Sequence, residues 1–211
     1  MTSTSEDFLD RVRSENRTAL SRLGSSKALY ADTGGDIDVA PVLRAAATAE
    51  HAAMETFETW AEEEDGAAGE AFAATASEER DHYERVVARL DGDDPYLDET
   101  PAIQRYLRDL DDTLDRAGGF VGRTVAAEKS KDQLVGFFVG QADPQSSQAF
   151  REMGGDLDDQ LDRGVDLLAE LCESDEDWGS ALEAASGAIQ AAYEEYTERL
   201  NDLGVNPKPV C

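Results

Sequence analysis

Two stretches of the sequence decide the expected fold: residues 47–60 (ATAEHAAMETFETW) and residues 75–86 (TASEERDHYERV). Both have the apolar spacing of one helical face, and a glutamate, Glu50 or Glu79, interrupts that face in each. His82 follows Glu79 by three residues, so both side chains can reach one centre. Burying an unpaired carboxylate costs several kcal/mol. The two glutamates therefore need partners, which can be a metal ion, a buried Lys or Arg, or a shared proton.

The rest of the sequence, read outward from these stretches, predicts further helices. Apolar residues recur at helical spacing, and no convincing period-2 alternation indicates a strand. Asp65-Gly66 and Asp143-Pro144 supply turn signals, and Gly118-Gly119 is expected to break a helix. The predicted helices cover residues 5–23, 38–64, 67–90, 101–116, 120–141, 145–172 and 177–203, with a short helix or a loop at 24–35. The expected fold class is all-α.

The length of 211 residues suits one domain with added helices. Residues 1–37 are expected to form an N-terminal helix and loop. Residues 38–211 are expected to form a helical bundle with a C-terminal helix and a tail that Pro207 and Pro209 extend. We expect the two segments to pack as a single domain.

The chain is strongly acidic, with 47 Asp and Glu against 19 Lys and Arg and a net charge of −28. The carboxylates are spread over the outer faces of nearly all predicted helices. This pattern is typical of halophilic proteins, because at molar salt the Debye length falls to about 3 Å and self-repulsion is screened. The absence of a basic stripe argues against nucleic-acid binding.

Several features indicate a cytoplasmic protein. The sequence has no apolar run of about 18 residues, so no membrane span is expected. Its first residues (MTSTSEDFLD) lack the apolar region of a signal peptide. Cys172 and Cys211 form neither a disulfide framework nor a zinc motif. Cys211, which follows two prolines, is either incidental or a redox-active thiol or soft metal ligand.

Glu50, Glu79 and His82 have the donor chemistry of a transition-metal site. Carboxylate oxygen and imidazole nitrogen suit iron, manganese or zinc better than calcium. An inward Glu followed by Glu-x-x-His on the next antiparallel helix is half of the di-metal arrangement found inside four-helix bundles. Glu128, in residues 125–134 (VAAEKSKDQL), falls on the apolar face of its predicted helix and is the candidate third-helix ligand.

Residues 49–90 resemble ferritin-like proteins, and rubrerythrin most of all. AEHAAMETFETWAEEE resembles the helix with the first bridging Glu, and ASEERDHYERV resembles the helix whose Ala-x-x-Glu-x-x-His run supplies a Glu and a His. The resemblance implies a ferritin-like four-helix bundle with flanking helices. It implies an iron or manganese site that includes Glu50, Glu79 and His82. It also implies an oxidoreductase that reacts with peroxide or oxygen and takes electrons from an external donor.

The second half of the motif departs from this family. Where a second Glu-x-x-His is expected, Glu152 is followed by Gly155 instead of histidine, and Glu152 points about 160° away from the apolar stripe. Asp158 is a poor substitute at the edge of that stripe, and His51 lies on a polar face. The paired Cys-x-x-Cys motifs of the family's second iron site are absent. The missing ligands predict weak or single-metal binding.

Two alternatives to a bound metal stay open. In the first, Lys131 is the counter-charge in a degenerate site that survives as a buried ion-pair network; in the second, Glu50 and Glu79 lie near the end of the bundle and are solvated. The chain would then be a non-catalytic helical protein that acts through dimerisation or partner binding at the Ala- and Gly-rich faces of residues 45–53 and 154–164. A longer-looped helical fold of the haem-oxygenase type is the alternative architecture.

Overall fold

The computed structural model describes residues 5–90, 92, 95, 97 and 99–207, so the predictions for Cys211 and its tail lie outside the described residues. Within this part the chain is all-helical and has no strand, which confirms the predicted fold class. None of its helices is both long enough and apolar enough to cross a membrane. The helices are α1 (Ser5–Glu15), α2 (Arg17–Leu23), α3 (Ser26–Asp32), α4 (Val39–Glu63), α5 (Gly66–Val87), α6 (Ala102–Arg108), α7 (Thr113–Gly140), α8 (Pro144–Leu171) and α9 (Asp175–Asp202).

Two helix hairpins, α4–α5 and α7–α8, form the centre of the fold. Two residues separate the helices of the first hairpin and three separate those of the second, so each pair runs antiparallel. At the second turn the Asp143 carboxylate accepts hydrogen bonds from the backbone N–H groups of Gln145 and Ser146, which caps α8. Both turns fall where the turn signals predict them.

The two hairpins share one apolar interior. Phe57 of α4 packs edge-on against Phe120 of α7 with ring centroids 5.1 Å apart, and Phe72 of α5 lies 6.2 Å from each of them. Leu161 and Leu168 of α8 belong to the same buried cluster. Side chains that point inward from these four helices can therefore meet one another.

The last helix, α9, packs along α7 through small residues. A β-carbon added to Gly118 would lie 2.3 Å from the carbonyl oxygen of Ala181, and one added to Gly122 would lie 2.1 Å from that of Ala185. The prediction that Gly118-Gly119 breaks a helix is therefore wrong. Gly118 and Gly122 lie inside α7 because the close approach of α9 offsets their helix-propensity cost of about 1 kcal/mol each.

The prediction of a continuous helix over residues 101–116 is also wrong. The short helix α6 ends at Arg108, and α7 begins after Asp112. The side chain of Asp112 accepts a hydrogen bond from the backbone N–H of Leu114, so this residue is a helix cap rather than a helix interior. The undecided segment 24–35 contains the short helix α3.

The predicted first helix is divided at Asn16, which lies between α1 and α2. Its buried side-chain amide donates to the Val12 carbonyl and to the hydroxyl of Ser186 on α9, and it accepts from the amide of Gln190. The ring of Phe8 on α1 lies 5.5 Å from that of Trp178 on α9. The N-terminal helices are thus packed on the last helix.

Part of the predicted dimerisation face is used inside the chain. A β-carbon added to Gly164 of α8 would lie 2.9 Å from Cγ2 of Val121 and 3.2 Å from the ring of Phe120 on α7. Gly164 therefore permits the close packing of α7 on α8.

Candidate metal centre

The predicted trio of Glu50, Glu79 and His82 meets in the interior of the two hairpins. Glu50 is on α4, and Glu79 and His82 lie one turn apart on α5. Only 2 % of Glu50 is exposed, and the other two residues are fully buried. One donor atom from each of the three lies within 4.8 Å of the other two. The alternative in which these glutamates are solvated at the end of a bundle is therefore wrong.

The carboxylate of Glu79 is held by α7 and α8. Arg123 of α7 donates from Nη1 to Oε1 and from Nη2 to Oε2, each at 2.8 Å, which is the bidentate geometry of a strong ion pair. Gln160 of α8 donates from Nε2 to the same Oε1 at 2.8 Å and accepts from Arg123 at 3.1 Å. Arg123 and Gln160 are themselves buried. Glu79, Arg123 and Gln160 therefore each form hydrogen bonds with the other two side chains.

The carboxylate of Glu50 is only half satisfied. The ammonium group of Lys131 on α7 donates to Oε1, while the buried Oε2 has no hydrogen-bond partner among residues 5–90 and 99–207. Burial raises the pKa of Glu50, but the opposing effects of Lys131 and His82 are larger and hold the pKa well below its usual range. The carboxylate is therefore ionised in the folded protein and has one oxygen free for another ligand.

His82 connects the trio to the surface. Its Nε2 lies 3.0 Å from Oδ2 of the half-exposed Asp156 on α8. Its Nδ1 has no hydrogen-bond partner in the described part of the chain and lies 3.7 Å from Glu50 Oε2 and 3.9 Å from Glu79 Oε2. When Nε2 carries the proton and donates it to Asp156, the Nδ1 lone pair points at two carboxylates. Burial lowers the pKa of His82, but Glu50 and Glu79 outweigh this and raise it.

The geometry fits one metal ion. A metal-bound histidine usually donates its second ring N–H to a carboxylate, as the His82 ring can to Asp156. At metal–ligand distances of about 2.0–2.2 Å, the ligand atoms of a tetrahedral site lie about 3.3–3.6 Å apart. The 3.7 and 3.9 Å separations between His82 Nδ1 and the two Oε2 atoms exceed this range only slightly. The free atoms of Glu50 and His82 are the two that a cation would join.

The structure does not bring Glu128 to the trio. Its side chain is half-buried on α7, and its Oε1 lies 3.4 Å from Nη2 of Arg13 on α1. Burial raises the pKa of Glu128 above its usual value, and the Arg13 guanidinium only partly offsets this. The group of donor atoms around Glu50, Glu79 and His82 does not include it.

The group of donor atoms around the trio also does not include Glu152, Asp158 or His51, which the sequence argument left out of the site. Glu152 is exposed and accepts from Arg85 at 2.5 Å, and Asp158 is exposed as well. His51 is half-buried, 3.8 Å from Glu55. The sequence reasoning on these residues agrees with their positions in the structure.

Three residues of the centre were not predicted: Arg123, Asp156 and Gln160. Arg123 had a signal, because it is the only charged residue in the apolar run 117–127, and an isolated charge on a buried helix requires a counter-charge. Asp156 and Gln160 lie on the flank of the α8 stripe, where the sequence does not distinguish an inward residue from a surface one.

No family model matches the chain, and neither the curated proteins nor the solved structures contain a match.

Proposed function

We propose that this chain is a ferritin-like metalloprotein, similar to rubrerythrin, that binds a single iron or manganese ion between Glu50, Glu79 and His82. One observation carries the proposal: Glu50 Oε2 and His82 Nδ1 are buried, lie 3.7 Å apart and have no hydrogen-bond partner among the described residues. When His82 is neutral with its proton on Nε2, both atoms are acceptors without a donor, which is costly, and they repel each other. A cation between them removes both penalties.

The ligands in this proposal are Glu50 Oε2, Glu79 Oε2 and His82 Nδ1. Asp156 would hold the His82 ring by accepting from Nε2, and Lys131 would keep the Glu50 carboxylate in place through Oε1. Three protein ligands leave a coordination position for an exogenous molecule. A bound iron or manganese ion would supply a change of valence at that position, which suits a reaction with peroxide or oxygen and requires an external electron donor.

The proposal specifies one ion rather than two. The side chains that reach the trio from α7 are the cations Arg123 and Lys131, and the buried side chain from α8 is the neutral Gln160. The bridged di-metal arrangement needs carboxylates from these helices. In their place α7 presents two cations, so the ligands for a second ion are missing.

Metal analysis after loading with Mn²⁺ tests the proposal. We expect about one equivalent of manganese in the wild type and a loss of it in His82→Leu. This variant removes a ligand but neither member of the two buried ion pairs. Asp156, which loses its histidine partner, is half-exposed and can be solvated. Circular dichroism checks that the variant is folded, and Arg85→Met on the surface is the control. Equal metal content in the wild type and a folded His82→Leu protein would refute the proposal.

A second candidate function is favoured by the ion pairs themselves. Glu50 with Lys131 and Glu79 with Arg123 leave the buried charges of α4, α5 and α7 balanced without a metal. The chain would then be a non-catalytic helical protein that acts through dimerisation or partner binding. This candidate predicts the same unfolding temperature with and without a strong chelator, whereas the metalloprotein should lose stability on chelation.

The acidic surface supports a proposal about the protein's environment. With a net charge of −28, the folded chain repels itself at low ionic strength. We infer that it works in the cytoplasm of a halophile, where high salt screens this repulsion.

A further inference from the structure

A cavity of about 490 Å³ lies between α3, α4, α6, α7 and α9. Glu50, Lys131 and Arg123 form part of its wall, while Glu79 and His82 do not line it. Much of the remaining wall is apolar and includes Leu29, Val42, Ala45, Ile103 and Leu134. The cavity therefore adjoins the candidate metal centre but is a separate space. Its volume is typical of sites for small organic molecules.

The charged side chains of the wall are already paired with one another or with neighbours. Besides the Lys131 and Arg123 ion pairs, Arg199 lies 3.6 Å from Asp32 and 3.4 Å from Glu195. Arg44 also has a partner. A charged ligand would have to displace one of these pairs, and breaking the buried pair of Lys131 or Arg123 is expensive. A neutral ligand meets no such cost.

Two residues that line the cavity each carry a buried polar atom without a hydrogen-bond partner among the described residues. These atoms are the side-chain oxygen of Gln104 on α6 and the hydroxyl of Tyr196 on α9; both are buried, and neither makes a hydrogen bond within the part of the chain that the structure describes. Gln104 is 2 % exposed and Tyr196 is 3 % exposed. Both residues line the cavity. The first atom can only accept a hydrogen bond, and the second can donate one.

We propose that this cavity binds a neutral, largely apolar small molecule that carries both an N–H or O–H donor and a hydrogen-bond acceptor. The donor of the ligand satisfies Gln104 Oε1, its acceptor receives the proton of Tyr196, and its apolar part covers the aliphatic wall. Bound there, the molecule lies beside Glu50 and Lys131. The site stands on the cavity and its two unpartnered atoms and does not depend on metal binding.

Ligand-detected NMR with three probes tests the site on the full chain after treatment with chelator. Benzamide carries a donor and an acceptor, toluene carries neither, and benzoate is charged. Benzamide is expected to bind with a dissociation constant on the order of 1 mM and more tightly than the other two. Gln104→Leu and Tyr196→Phe should each weaken benzamide binding about three- to tenfold, the effect of one hydrogen bond, without weakening toluene binding.

A pair of matched variants locates the site. Ala45→Phe fills the cavity from α4 and should abolish benzamide binding, while Ala73→Phe places the same ring on the exposed face of α5 and should leave binding unchanged. Because the Tyr196 hydroxyl has no partner in the free protein, Tyr196→Phe should keep the wild-type stability. Benzamide binding no tighter than toluene binding, or benzamide binding that persists in Ala45→Phe, would overturn the proposal.

Discussion

Replacing Lys131 by methionine should destabilise the protein strongly, because it removes the ammonium group that pairs with the buried Glu50 carboxylate. Both side chains are almost completely buried, and Glu50 Oε2 has no partner to compensate. Removing one member of such a pair costs about 3–5 kcal/mol. For a chain of this length, each kcal/mol lowers the unfolding temperature by about 2–4 °C, so the expected decrease is roughly 6–20 °C.

The measurement is a double-mutant cycle by urea unfolding, with Lys131→Met, Glu50→Leu and the double variant. The double variant replaces the pair by apolar groups of similar size, which is often neutral or stabilising. It should therefore be more stable than either single variant. The control is Arg85→Met, which removes the exposed ion pair with Glu152 and should change stability far less.

The same variant separates the two candidate functions. In the metalloprotein, Mn²⁺ takes over the role of counter-charge for Glu50, so adding it should restore part of the stability of Lys131→Met. In the non-catalytic protein it should restore none. If Lys131→Met matches the wild type within about 0.5 kcal/mol, the usual range for surface substitutions, the reasoning about a buried ion pair is refuted.

Three further outcomes follow from the structure. Gly122→Ala should destabilise the protein by about 1–3 kcal/mol through overpacking against Ala185, whereas Gly136→Ala, with open space around it, should stabilise it by about 1 kcal/mol; thermal unfolding measures both. The unfolding temperature should rise steadily from 0.1 to 2 M KCl as the charge of −28 is screened, and an unchanged temperature would contradict this. Burial raises the pKa of Cys172 to about 11. In a Cys211→Ser protein this thiol should therefore react with a disulfide reagent more slowly than glutathione does at pH 8, and its rate should rise only as the pH approaches 11.

The long helices were predictable because each has a continuous apolar face and a strong turn signal at its end. The boundaries of α4 and α5 agree with the predicted ones to within three residues. The errors occurred where tertiary packing outweighs local propensity. Gly118 and Gly122 weaken an isolated helix, but the carbonyl groups of Ala181 and Ala185 approach them so closely that only glycine fits. A single sequence does not reveal which helix packs there.

The sequence also predicted that Glu50 and Glu79 are buried and require partners, but it left the choice of partner open. That choice depends on which face of α7 is turned toward α4 and α5, and a single sequence does not fix this. In the structure Arg123 and Lys131, eight residues apart on α7, both point toward the glutamates. One cation serves each glutamate. Among the described residues, His82 Nδ1 and Glu50 Oε2 are left without a hydrogen-bond partner, and it is this remainder, rather than the carboxylates alone, that supports the proposal of a metal ion.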